Sequence, residues 1–168
     1  MTHHEEQIRT LCRALLGAEK TLATAESCTG GGIAKALTEL PGSSAVFLGG
    51  AVTYTDAMKQ TLLGVSQELL DVHTAVSAPC AKAMAEGIRE RTGACLAVSA
   101  TGYAGPGGGT EKDPVGTVYI GIASPRACFA ERFSAPAPAE SSRKEIREAV
   151  ILRALELLLR ETEALSEQ

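Results

Sequence analysis

The chain has 168 residues, 45% of them hydrophobic and 21% charged. That composition fits a single domain over residues 1–168 with a self-sufficient core, and it excludes bulk disorder. Sixteen basic and twenty acidic side chains give a net charge of −4, and there is no Trp beside three Phe and three Tyr, so the basic, aromatic surface of a nucleic-acid binder is missing.

The N-terminus, Met1-Thr2-His3-His4-Glu5-Glu6, is too acidic for a secretory signal. Ile8, Leu11, Cys12, Leu15 and Leu16 then recur at helical spacing, predicting an amphipathic helix over 5–18. A short strand follows at 21–26 and a helix at 29–39, closed by Pro41-Gly42. Residues 45–54 read as a strand that Gly49-Gly50 can bulge. A helix over 56–63 stops at Gly64, Ser66 caps another, and Ser77-Ala78-Pro79 opens a longer one running to Arg91. Residues 95–100 form a buried-strand candidate, 102–114 a Gly/Pro loop, and 115–123 and 127–134 two further strands. Pro136-Ala137-Pro138-Ala139 reads as a rigid connection, and the capping box Ser142-Arg143-Lys144-Glu145 starts a last helix ending near Glu163. The alternation in the first half predicts an α/β fold, a three-layer α/β/α sandwich. The adjacent strands late in the chain make its sheet mixed, mostly parallel. No apolar run reaches the ~18 residues of a membrane span, and a cytoplasmic location is expected.

The five Cys, at 12, 28, 80, 95 and 128, are odd in number and show no CxxC spacing, which points to reduced thiols rather than a disulfide framework. No Cys or His cluster suits zinc, so no metal and no cofactor are expected. A Ser-His-Asp triad would need His73, which stands at a helix end where a histidine commonly serves the dipole.

Three segments can carry chemistry. In Ala25-Glu26-Ser27-Cys28-Thr29-Gly30-Gly31-Gly32 a serine sits at a strand-to-helix switch, at the carboxyl edge where open α/β sheets bind ligands. The amides after it can face an anion. Ser27 serves equally as a plain N-cap, and Cys28 is either a rival nucleophile or a buried apolar residue. In Tyr54-Thr55-Asp56-Ala57-Met58-Lys59, Lys59 can act as a general base if burial holds it neutral, or it is a solvated helix lysine. In Thr101-Gly102-Tyr103-Ala104-Gly105-Pro106-Gly107-Gly108-Gly109-Thr110, glycines allow close backbone approach to a ligand, or make an ordinary connection. This third segment is neither a P-loop nor a Rossmann fingerprint. Arg143 and Arg147, one turn apart, can grip a phosphate or carboxylate, or line a solvated face. Ser141-Ser142-Arg143-Lys144 matches the loose SxxK pattern, which the capping box explains without catalysis.

Taken together, the segments 25–31, Pro41-Gly42-Ser43-Ser44, Tyr54 with Lys59, Leu62-Leu63-Gly64-Val65, Ala75-Val76-Ser77, Thr101-Gly102 through Gly105–Gly109, and Pro114–Tyr119 resemble the CinA C-terminal domain family. The order and spacing match over roughly residues 10–160. Members that stand alone at this length are similar to nicotinamide-nucleotide amidohydrolases. These convert nicotinamide mononucleotide (NMN) to nicotinate mononucleotide and ammonia in pyridine nucleotide salvage. The resemblance implies Ser27 as nucleophile, Lys59 as its base and Tyr54 nearby. It also implies Thr101 in the pocket and an arginine of the last helix, Arg143 with Arg147 as the alternative. Thr29, Gly30, Gly31, Gly102, Gly105, Gly107 and Gly108 complete the expected substrate-binding set. The expected partner is a small-molecule nucleotide, with neither nucleic acid nor membrane, and the resemblance implies a homodimer. The segment Glu111-Lys112-Asp113 reads as tolerated loop variation. The alternatives are a Ser–Lys amidase with another substrate and a non-catalytic nucleotide-binding module.

Overall fold

A computed structural model describes residues 3–136 and 142–167. Helix α1 (His3–Gly17) leads into strand β1 (Leu22–Glu26) and helix α2 (Gly32–Thr38), and a 3-10 turn (Ser43–Ala45) precedes β2 (Phe47–Val52). Helices α3 (Asp56–Leu63), α4 (Gln67–His73) and α5 (Ala78–Thr92) follow. Then come β3 (Leu96–Gly102), β4 (Thr117–Ala123), β5 (Cys128–Ser134) and α6 (Arg143–Ser166). Every element expected from the sequence is present. The strand expected at 45–54 is shorter because the 3-10 turn takes its start, and the helix expected from 29 begins three residues later. Most of the Pro136–Ala139 connection, and Ser141 of the SxxK match, lie outside the described residues.

The strands form one five-stranded sheet in the order β2-β1-β3-β4-β5. β1 pairs in parallel with both β2 and β3, whereas β4 is antiparallel to β3 and to β5. Only β4 therefore runs against the other four, which makes the sheet mixed and mostly parallel, as the sequence predicted. β1, β3 and β4 are buried almost throughout, as near-continuous apolar runs in a doubly covered sheet should be.

Two cores flank the sheet. Leu11, Leu15, Ile33, Leu37, Val150, Ala154 and Leu158 pack α1, α2 and α6 on one face. Leu63, Leu70, Cys80, Met84 and Ile88 pack α3, α4 and α5 on the other. β1 connects through α2 to β2 on one side and lies beside β3 on its other side, with α2 and α5 on opposite faces. The strand order thus reverses at β1, and a crevice opens beyond its carboxyl end. Glycine permits two close approaches that fix the layers. A Cβ at Gly87 would lie 2.0 Å from the Leu63 carbonyl oxygen, and one at Gly32 would lie 2.6 Å from Ile151 Cδ1. The capping box forms at Ser142 and Glu145. Near the other end of α6, the buried Glu161 accepts from Ser124 Oγ at 2.6 Å and pairs with Arg126, binding the helix to the β4–β5 hairpin.

Candidate active site

Ser27 stands at that crevice. Its amide donates to the Ala100 carbonyl at 2.9 Å and extends the β1–β3 ladder by one residue, while the Thr53 amide donates to the Glu26 carbonyl at 2.8 Å. The chain then turns sharply: the Gly30 amide donates to the Ser27 carbonyl, and Gly30 and Gly31 both have positive φ, 60° and 92°. That left-handed pair, open to glycine without strain, is why α2 starts late. Glu26, just inside the strand and 1% exposed, reaches past the turn to the helix. Its carboxylate accepts the Ile33 amide at 3.0 Å and the Ala34 amide at 2.9 Å. Two orphan donors and the positive end of the helix dipole are thereby satisfied from within the chain. This corrects the expectation that the start of the helix lies open to a ligand anion. The amides of Thr29 and Gly31, in the turn itself, make no hydrogen bond among the described residues.

Lys59 arrives from the neighbouring element. Thr55 caps α3 by accepting the Met58 amide, and Gly64 closes the helix in the left-handed conformation. Met58 and Leu62 face outward, leaving Lys59 and Leu63 on the buried face, and Lys59 is only 2% exposed. Its Nζ lies 3.1 Å from Ser27 Oγ and donates to the Thr53 carbonyl at 3.0 Å. No carboxylate pairs with this amine among the described residues. Burial pushes its pKa down from the ordinary 10.5, against weaker upward pulls from Cys80, Asp56 and Cys28. An amine deprived of solvation favours its uncharged form, the form that can accept a proton. The reading of Lys59 as a solvated helix lysine is thereby corrected.

Cys28, the next residue, differs from Ser27 in its chemistry. It is 6% exposed. Burial raises its thiol pKa to about 12, outweighing the lowering effects of a backbone hydrogen bond and, behind it, of Arg143 and Arg147. At neutral pH it is a protonated core residue, not a thiolate nucleophile.

A cleft of about 220 Å³ opens over Ser27 and Cys28, bounded by Tyr54 on one side, Gly102–Gly105 and Gly107 on the other, and Arg143 above. Arg143 spans it: one guanidinium nitrogen donates to the Gly105 carbonyl at 2.7 Å and another to the Tyr54 hydroxyl. Arg143 also lines an adjoining groove of about 640 Å³ between α2 and α6, together with Arg147, Lys144 and Lys35. Arg147 lies over the Ser27 turn and donates to the Thr29 carbonyl, and a Cβ at Gly30 would come within 2.9 Å of it.

The expected substrate-binding residues divide. Gly102, Gly105, Gly107 and Arg143 border the cleft, and Thr29, Gly30 and Gly31 form the turn beneath Arg147. Thr101 and Gly108 do not line the cleft. The Thr101 hydroxyl is buried and donates to the Ala75 carbonyl at 2.8 Å, pinning the segment before α5 to β3, and Gly108 lies against the Tyr103 ring. Thr101 is the last residue but one of β3, where alternation turns its side chain into the α5 layer instead of the crevice. Sequence reasoning assigned no role to Glu26 or Thr53. A carboxylate ending a strand before a glycine turn and helix was a readable capping signal, whereas the Thr53 carbonyl carried none. His73 is exposed at the end of α4, and Lys144 is exposed beside the capping serine, far from a buried dyad. Among the described residues no group of three or more His, Cys, Asp or Glu is placed to hold a metal, and no helix is long and apolar enough to cross a membrane.

Comparison with known proteins gives this site a family. The model of the CinA C-terminal domain matches residues 4–162. The chain belongs to the CinA C-terminal domain family. A CinA-like protein of Parasynechococcus marenigrum is 48% identical over 143 residues, covering 84% of this chain and 33% of its own. One from Myxococcus xanthus is 54% identical over 121 residues, covering 72% and 29%. The chain thus spans about a third of the length of these curated CinA-like relatives. Among solved structures, competence/damage inducible protein CihA from Agrobacterium tumefaciens superposes with a TM-score of 0.89 at 40% identity, covering 95% of this chain and 96% of that one. A CinA superfamily protein from Klebsiella pneumoniae gives 0.90 at 32% identity, covering 97% and 99%. The three-layer CinA fold therefore covers 95% and 97% of this chain in these two superpositions.

Proposed function

We propose that this CinA-family domain is an amidohydrolase that deamidates nicotinamide mononucleotide by a Ser–Lys mechanism. The carrying observation is the pairing of Ser27 Oγ with a buried, carboxylate-free amine at 3.1 Å. A serine hydroxyl is a weak nucleophile until an adjacent base takes its proton, and among the described residues Lys59 is the group hydrogen-bonded to it that can do so. The Thr53 carbonyl occupies one N–H of the neutral amine, so its lone pair is free to face the hydroxyl.

The chemistry runs in two halves. As Ser27 Oγ bonds to the carboxamide carbon, its proton passes to Lys59 Nζ and the carbonyl oxygen becomes an oxyanion. The backbone amides of Thr29 and Gly31, which make no hydrogen bond among the described residues, are suited to hold that charge, where one lost donor commonly costs roughly 10²–10³ in rate. The C–N bond then breaks, Lys59 returns the proton to the departing nitrogen, and ammonia leaves an ester on Ser27. Water, deprotonated by Lys59, attacks the ester and releases the carboxylate and the free serine. A cleft of about 220 Å³ suits the nicotinamide ring and its amide better than a whole mononucleotide, so in this reading the ribose phosphate lies toward Arg143 and Arg147. Incubation with NMN tests the proposal. Ammonia should appear stoichiometrically with nicotinate mononucleotide, and free nicotinamide should react far more slowly. Equal rates on the two amides would refute the nucleotide substrate, and intact NMN would refute the activity.

A further inference from the structure

The glycine loop that walls the cleft is fastened at a point remote from the chemistry. Asp113 is 6% exposed although it lies in a loop. Its Oδ1 accepts the Tyr119 hydroxyl at 2.9 Å and Arg132 Nε at 3.0 Å. Tyr119 of β4 and Arg132 of β5 are register partners across the antiparallel edge of the sheet, so the two donors form one rigid receptor. Arg132 also donates to the Lys112 carbonyl at 2.9 Å. Within the loop, the Thr110 amide donates to the Asp113 carbonyl at 2.8 Å and the Asp113 amide donates to Thr110 Oγ1 at 2.9 Å. The other end is pinned where the Tyr103 amide donates to the Thr117 carbonyl. Between these pins hang Gly105 and Gly107, and the Gly105 carbonyl is the acceptor that holds Arg143 over Ser27.

We infer that Asp113 is a positioning residue: by locking the loop to the Tyr119–Arg132 pair it fixes the Gly105 carbonyl, and through it Arg143, at the height the substrate requires. This replaces the reading of 111–113 as tolerated variation. A buried carboxylate that receives a charged and a neutral donor is costly to place unless its partners are preorganised. Here both sit on paired strands. The catalytic pair lies just past β1 and on α3 and makes no hydrogen bond to the loop or its anchor among the described residues, so loosening the anchor should act on binding and leave the chemical step alone. The inference rests on the amidohydrolase reading for its kinetic arm only.

The test compares Asp113→Asn with wild type by ammonia release from NMN and by amide hydrogen exchange, with Tyr119→Phe, which deletes a single hydroxyl, as the milder second variant. Asp113→Asn should raise KM about tenfold while kcat changes less than about threefold, and Tyr119→Phe should give a smaller shift in the same direction. Exchange should quicken in peptides covering 103–112 and stay unchanged in those carrying Ser27 and Lys59. Unchanged exchange in 103–112 in both variants overturns the inference. So does a fall in kcat with KM constant, or faster exchange throughout the molecule. If the wild type releases no ammonia, the amidohydrolase reading fails by itself, and the exchange arm still decides whether Asp113 anchors the loop.

Discussion

Replacing Lys59 by Met removes the amine and keeps most of the side chain's volume. Two contacts vanish, the one to Ser27 Oγ at 3.1 Å and the one to the Thr53 carbonyl at 3.0 Å. Loss of a positioned general base typically costs 10²–10⁴ in rate, or about 3–5 kcal/mol of transition-state stabilisation. Stability should respond differently. The Thr53 carbonyl loses its donor in a buried place, at a cost of about 1–3 kcal/mol. Against that, the wild type carries an amine whose pKa burial holds below the ordinary 10.5. Between its folded value and 10.5 the unfolded chain binds more protons than the native one, so the wild type gains stability as pH rises through that window. Lys59→Met lacks this gain. Relative to wild type it should therefore be at its best below the folded pKa and lose ground steadily toward pH 10.5. The assay pairs kcat/KM for ammonia release with urea unfolding at about pH 6 and about pH 9.5. A loss of activity below about tenfold would refute Lys59 as the base. A stability difference independent of pH would refute a buried neutral amine.

Cys28→Ala should retain ammonia release within about threefold, since a thiol held near pKa 12 by burial is not the nucleophile; loss comparable to that of a Ser27 variant would reverse the assignment. The kcat/KM–pH profile should rise to a plateau through an apparent pKa below 10.5, the limb vanishing in Lys59→Met. Glu26→Gln keeps the shape but leaves one of the two α2 amides facing an NH2 donor in place of an acceptor, and should destabilise by about 1–3 kcal/mol in chemical denaturation. Gly87→Ala places a methyl 2.0 Å from the Leu63 carbonyl oxygen, so α3 must move, and with it Lys59. Both melting temperature and activity should fall, and an unperturbed protein would contradict the packing.

Local signals carried most of the fold. The capping serines at 66, 77 and 142 and the closing glycines at 64 and 93 bound their helices where the sequence said. Periodicity gave α1 and α6, and apolar runs gave the buried strands. The late start of α2 was harder to see, because Thr29 is itself a good cap and only the left-handed Gly30-Gly31 pair displaces the helix. In the site, a Ser just past one strand and a Lys in the helix after the next were legible as reactive types. Their meeting depends on β1 and β2 being parallel neighbours, a long-range fact. Glu26 illustrates the limit best. Its place before a glycine turn and a helix is a capping signal, but only the folded turn shows that it passes over Thr29 to reach Ile33 and Ala34 and takes the place an anionic ligand would have used. Asp113 is hidden for the same reason, since its partners lie on strands that follow it.

Ser27→Ala, shown by circular dichroism to be folded and assayed with NMN beside the wild type, addresses the nucleophile with the smallest change. Removing one buried oxygen from a pair 3.1 Å apart should cut ammonia release to at most about a thousandth of the wild-type rate. Turnover near the wild-type level in that variant would mean that the hydroxyl at the end of β1 does not attack the amide.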